Sequence, residues 1–164
     1  ITYYILNGKN YMPSKEQLEN EISDYVHRKF FLCSLNFADF SDYEIEQGNF
    51  ETSTKILDNK VILNADYPLI IKKGESILRL ESFQTEVSVR FGIIYDAISS
   101  FADKDLNSQG VCITCLTEVT KEKNLEKDLY VEMNNTNEGV IFNFIDKKSK
   151  LNNQSLEWIF ANKY

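Results

Sequence analysis

Residues 43–90 alternate apolar and polar side chains over most of their length, and stretches with a helical period stand on either side of them. That order constrains the fold more than any other feature. Ile45 opens the alternation, and Phe50, Thr52, Thr54 and Ile56 continue it. After the turn pair Asp58-Asn59, Val61, Leu63, Ala65 and Tyr67 alternate against Ile62, Asn64 and Asp66. Successive strand residues point to opposite faces, so this period predicts an antiparallel meander with one buried face. Pro68 has no N–H to give to a ladder and marks an edge, a bulge or an interruption. Lys72-Lys73-Gly74-Glu75 reads as the next turn, with Ile77 to Phe83 and Thr85 to Arg90 extending the sheet.

Upstream, Tyr3 to Leu6 predicts a short strand closed by the turn pair Asn7-Gly8. Pro13-Ser14 opens a helix, with Ser14 as N-cap and Gln17 in the capping-box position. Leu18, Ile22, Val26 and Phe30 recur every four residues and share one stripe. That stripe is expected to cover the meander face carried by Val61, Leu63, Val87 and Val89, while Lys15, Glu16, Glu19 and Asn20 face water. Downstream, Phe91, Ile94, Tyr95, Ile98, Phe101 and Ala102 fall on one helical face, and Gly110 interrupts it. Residues 111–124 predict a second short helix with Cys112, Cys115, Leu116 and Val119 on its inner side. Strands return at Leu129 to Met133, Val140 to Ile145 and Leu156 to Phe160. Segregated runs of helix and strand predict an α+β fold, antiparallel sheets with helices packed on one face. The expectation is one globular domain over residues 1–164, which at this size buries roughly 70% of its unfolded surface.

The net charge is −7. The basic clusters Lys72-Lys73 and Lys147-Lys148 with Lys150 are too short to offset it, so phosphate backbones and anionic lipid surfaces are poor partners. No apolar run approaches the ~20 residues of a membrane-spanning helix.

Three cysteines are present: the pair Cys112-Ile113-Thr114-Cys115 and the distant Cys33. A redox centre requires Cys112 at a helix N-terminus, where the dipole favours thiolate. A zinc site needs four ligands and so would have to recruit both Cys33 and His27. Structural disulfides in an oxidising compartment account for the pattern more simply, with Cys33, Cys112 and Cys115 as candidates. The chain opens Ile1-Thr2-Tyr3-Tyr4 without Met, so a longer exported protein is expected, with an anchoring segment and a fourth thiol upstream. Two glycan acceptor sequons, at Asn134 and Asn153, lie in polar stretches that read as turns and agree with export. His27 is the single histidine and is expected to serve the C-terminal end of the first helix. Asp39, Asp42, Glu44 and Glu46 form an acidic patch without calcium-loop spacing, and read as a solvated strand face. No phosphate loop, nucleophile elbow or paired-histidine motif occurs. Catalytic residues, a metal and a cofactor are not expected.

Several stretches together carry a resemblance. They are Tyr3-Tyr4, Met12-Pro13-Ser14 before the helix, and Cys33 after it; Tyr67-Pro68 with Lys72-Lys73-Gly74; Val89 to Tyr95; Cys112 to Leu116; and Trp158-Ile159-Phe160-Ala161. The chain resembles the outer domain of uncharacterised archaeal, pilin-like, membrane-anchored proteins, whose one apolar N-terminal segment precedes the soluble part. The resemblance covers most of the chain. It implies a cell-surface setting, a membrane anchor and a further upstream cysteine, and it implies no activity. The leading expectation is a non-enzymatic extracytoplasmic domain with a structural, adhesive or assembly role, whose partner is another protein or a second copy. The alternative is a thiol-disulfide oxidoreductase using Cys112 and Cys115.

Overall fold

The computed structural model describes residues 1–108 and 110–164, and every side chain among them except those of Cys33, Leu35 and Asn36. The fold is α+β, with three α-helices and two mostly antiparallel sheets among the described residues. The chain forms two compact units. One holds Ile1–Ser14, Leu57–Lys60 and Ser88–Tyr164, and the other holds Lys15–Ile56 and Val61–Val87.

In the first unit a five-stranded sheet runs in the order β2-β1-β9-β8-β7. These strands are β1 (Tyr3–Leu6), β2 (Lys9–Asn10), β7 (Leu129–Thr136), β8 (Gly139–Leu151) and β9 (Gln154–Lys163). The pairings are antiparallel except β1 with β9, which is parallel. Asn7 and Gly8 both take positive φ, as the turn between β1 and β2 demands. Gly139 starts β8 at φ +145, and a Cβ there would lie 2.3 Å from the Asn162 carbonyl oxygen, so only glycine fits. Val140, Phe142, Phe144 and Asp146 alternate inward along β8. Against them lies α2 (Phe91–Leu106), burying Ile94, Ala97, Ile98, Phe101 and Ala102. Phe101 meets Phe142 edge-on at 5.2 Å, and Phe142 stacks on Phe160 at 5.2 Å. The short helix α3 (Ile113–Glu122) buries Val119, and Lys104 of α2 reaches its Glu118 and Glu122 at 3.2 and 3.4 Å.

The second unit is the meander with the first helix. α1 runs Lys15–Ser34, a 3-10 turn follows at Leu35–Phe40, and the strands are β3 (Glu44–Gln47), β4 (Glu51–Leu57), β5 (Lys60–Lys73) and β6 (Ser76–Val87). β6 pairs along nearly all of β5, so β3 and β4 must share the other side of β5, one beside each half. The register shifts between Asp66 and Leu69, which settles Pro68 as a bulge at the place where one neighbour gives way to the other. The meander ends at Val87 rather than Arg90. Val89 and Arg90 belong to the first unit, so Val89 is not part of the face offered to α1.

The α1 stripe Leu18, Ile22, Val26 and Phe30 does turn inward, but each residue is only half-buried. It is wider than expected, because Glu19, Ser23 and His27 lie on it too. Glu19 does not face water. Its carboxylate accepts the Ile56 N–H at 2.8 Å and the Lys55 ammonium at 3.2 Å, and the side chain is 12% exposed. Ser23 and Thr54 share a hydroxyl hydrogen bond of 2.8 Å, and the Thr52 hydroxyl donates to the Ser23 carbonyl at 2.9 Å. The helix is therefore held to β4 by polar groups as much as by its apolar stripe.

Candidate functional site

Two places in the molecule carry unusual chemistry. The first lies where α2 hands over to α3. Asp105 ends the buried face of α2 with no exposed surface. Its Oδ1 accepts the Cys112 N–H at 2.7 Å; its Oδ2 accepts the Asn162 amide at 2.8 Å and the Tyr164 hydroxyl. Asn162 in turn accepts the Ile5 N–H at 3.2 Å through its Oδ1. One buried carboxylate thus ties together β1, β9 and the start of α3. Burial, reinforced by the Asp105 carboxylate, pushes the Tyr164 hydroxyl well above the ordinary tyrosine range. Cys112 caps α3, and its Sγ accepts the Cys115 N–H at 3.3 Å. Cys112 and Cys115 form a disulfide with Cα atoms 5.2 Å apart. Both are half-buried, and Cys112 lines an open depression with Ser108, Val111 and the exposed Ile113.

A second buried polar cluster in this unit is structural. The Arg90 guanidinium grips Asp146 through both oxygens and reaches Asp128 at 3.4 Å. Burial alone would raise the Asp146 carboxyl, but hydrogen bonds from Arg90, Ser149 and the Lys148 N–H hold it below the usual carboxylate range.

The second place is the open side of the meander unit. Phe37, Phe40 and Tyr43 stand along one rim of a groove of about 330 Å³. Ile45, Leu69 and Ile71 form its floor, and Leu78, Leu80 and Phe83 of β6 form the other wall. Beneath it lies the small core of Phe50, Tyr67 and Leu69, with Phe30 stacked on Phe50 at 4.0 Å. Phe40, Tyr43, Leu78 and Phe83 keep 40–54% of their surface exposed. Lys73 sits over the Tyr43 ring at 4.4 Å, so the mouth carries a charge while the groove is apolar.

The expected site residues fall unevenly across these places. Cys112 and Cys115 come together, whereas the side chain of Cys33 lies outside the described residues. His27 sits two turns before the end of α1, which runs on to Ser34, so it does not serve the helix terminus. It stacks on Phe50 at 5.3 Å instead. Asn134 lies within β7, opposite Ile141, and not in a turn. Asn153 occupies the turn between β8 and β9 at φ +65. Both asparagines are exposed. Within the acidic patch, Glu44 and Glu46 pair with Lys72, whose hydrogen bond to Glu46 chiefly raises the lysine above its ordinary value. Among the described residues no cluster of metal ligands forms. Sequence reasoning missed the groove, because Phe37, Phe40 and Tyr43 lie in a segment with neither helical nor strand period. The signal was there as aromatic density between Phe30 and Tyr43. No helix among the described residues is long and apolar enough to cross a membrane. Set against protein-family models, curated proteins and solved structures, the chain matches none.

Proposed function

We propose that this chain is a non-enzymatic extracytoplasmic domain that works by protein docking, with an adhesive or assembly role at a cell surface. The observation that carries the proposal is the apolar groove. A contiguous aromatic and aliphatic patch, open to water and rimmed by charge, is what interaction surfaces present and what an isolated domain avoids. The half-exposed disulfide and the two exposed sequons support an oxidising, exported setting. So does the resemblance to anchored archaeal surface proteins, in which the anchor lies ahead of the soluble part.

The test uses beads coated with the purified domain, scored for adhesion to one another and to cells of the source organism. Phe40→Asp and Tyr43→Asp, both at exposed positions, should abolish adhesion while leaving the circular dichroism spectrum unchanged. Adhesion that ignores both changes would remove the groove from the function.

One specific observation favours the oxidoreductase alternative. Cys112 caps a helix and receives an N–H at its sulfur, which would stabilise a thiolate there once the disulfide opens. Catalytic reduction of insulin by the dithiol form, lost on Cys112→Ser, would establish that reading in place of the docking one.

A further inference from the structure

The groove of the meander unit opens beside a helix that carries a second apolar stripe. β6, the far wall of the groove, pairs with β5 alone among the described residues, so the sheet ends there. Phe30 of α1 packs on the core that Leu69 shares with the groove floor, so helix and groove occupy one face of the sheet. On the side of α1 turned away from that face, Tyr25, Lys29 and Leu32 stand at i, i+4 and i+7. Tyr25 is 57% exposed and Leu32 66%. Lys29 sits over the Tyr25 ring at 5.8 Å, with the exposed Arg28 beside it.

Charge separates these two surfaces. The meander unit holds thirteen acidic and seven basic residues, so it carries −6 of the chain's −7 and favours a cationic occupant in its groove. Asp39 and Asp42, both exposed, flank the rim residues Phe40 and Tyr43. Among the cations of the unit, Lys55 and Lys72 are ion-paired and Lys73 lies over Tyr43. Arg79 pairs across from Ile70, on the face of β6 away from the groove. The outward stripe of α1 is thus the place where exposed cations stand among exposed apolar side chains.

We infer that the groove receives α1 of a second copy, each helix lying in the groove of the other about a two-fold axis. The inference rests on the docking reading above and names its partner. An amphipathic helix anchored at i, i+4 and i+7 is a recurrent occupant of an apolar groove. Tyr25 and Leu32 would meet Phe40, Leu78 and Phe83, while Arg28 and Lys29 meet Asp39 and Asp42 on the rim. Because the interface is self-complementary, this one match is made twice in the dimer.

Sedimentation velocity of the purified domain, over micromolar to millimolar concentrations, tests this. A reversible monomer–dimer equilibrium is expected. Leu32→Asp spoils the helix stripe and Phe40→Asp the groove, and each should weaken the dimer at least about tenfold. An equimolar mixture of the two variants should associate about tenfold more tightly than either alone, because only the mixed pair keeps one intact helix–groove contact. Both changes are at exposed positions, and circular dichroism checks that the variants fold. A protein monomeric at every concentration overturns the inference, as does a dimer indifferent to either variant or a mixture no tighter than its components. Bead adhesion by a strictly monomeric protein would reject the helix exchange and leave the docking reading standing. Dimerisation with Phe40→Asp and Tyr43→Asp silent in adhesion would do the reverse.

Discussion

The two units dispose of their phenylalanines in different ways. In the first, Phe101, Phe142 and Phe160 have no exposed surface, and the polar groups buried with them, Asp105, Asp146 and Asn162, are hydrogen-bonded. In the second, the core is Phe50, Tyr67 and Leu69, while Phe31, Phe40, Tyr43 and Phe83 remain 40% or more exposed. Both units are rich in large apolar side chains. The difference lies in what covers them: α2 has a fully inward stripe, whereas α1 covers only part of its sheet and holds it through Glu19, Ser23 and Thr54. That much open aromatic surface marks the second unit as the less closed of the two.

The largest expected effect is in the packed unit. Phe142→Ala removes a fully buried ring that touches both Phe101 and Phe160, and should cost about 3–5 kcal/mol in chemical denaturation. Phe40→Ala in the open unit should cost about 0.5 kcal/mol or less, since the ring is half in water. Equal costs would erase the contrast between the units.

Asp146→Asn comes next. It strips the nearer of the two carboxylates that pair with a buried guanidinium, and breaking such a buried pair typically costs about 3–5 kcal/mol. The pH dependence sharpens the point. The Asp146 carboxyl is held below its unfolded value of about 3.9, so its contribution is fully present above that pH. It is lost as pH falls through the lower folded value. The stability gap between the native protein and Asp146→Asn should therefore be widest at neutral pH and shrink below about pH 4. A gap independent of pH would mean that the pair stabilises by shape rather than by charge.

Reduction of the Cys112–Cys115 disulfide should cost less. It closes a loop of four residues, and in the chain-entropy view such a loop accounts for about 2 kcal/mol. Comparing native and reduced protein by thermal denaturation measures it. A much larger loss would show that the disulfide, and not Asp105, holds the start of α3 in place.

The packed unit was the more legible of the two in the sequence. The stripe from Phe91 to Ala102 has a clean helical period, and Val140 to Ile145 a clean strand period, because each element buries one whole face. Their polar partners were not legible. Asp105, Asp146 and Asn162 are ordinary surface residue types, and only long-range contacts turn them into buried anchors. Asn162 bonds a backbone group 157 positions away. In the open unit, alternation located the strands and Pro68 located the bulge. It could not show that β6 stays an edge, since a strand with one neighbour and a strand with two carry the same period. The groove escaped for a related reason. Its rim from Phe37 to Tyr43 spans a 3-10 turn and a loop, where no periodicity exists to read. The cysteines were legible as disulfide candidates, but the pairing of Cys112 with Cys115 was not, since spacing left Cys33 and an upstream thiol as alternative partners.

The smallest expected effect tests how α1 is held. Sequence periodicity places Glu19 on the solvent side of the helix, and its loss would then be as harmless as that of Glu16, which is exposed. The structure instead places its carboxylate on the Ile56 N–H at 2.8 Å, with Lys55 beside it. Glu19→Ala leaves that amide without its acceptor in a partly buried position, which should cost about 1–2 kcal/mol. Glu19→Gln keeps an acceptor oxygen and should recover most of the loss, so the hydrogen bond and not the charge is the stabilising element. Ile22→Ala should cost a similar amount, about 1–2 kcal/mol, because its side chain is only half-buried and leaves no closed cavity. Glu16→Ala should stay within about 0.5 kcal/mol. Denaturation of the four variants ranks them directly. If Glu19→Ala falls with Glu16→Ala, the apolar stripe alone anchors the helix. If it falls with Ile22→Ala, the open unit is held together by polar contacts that its exposed aromatic surface does not replace.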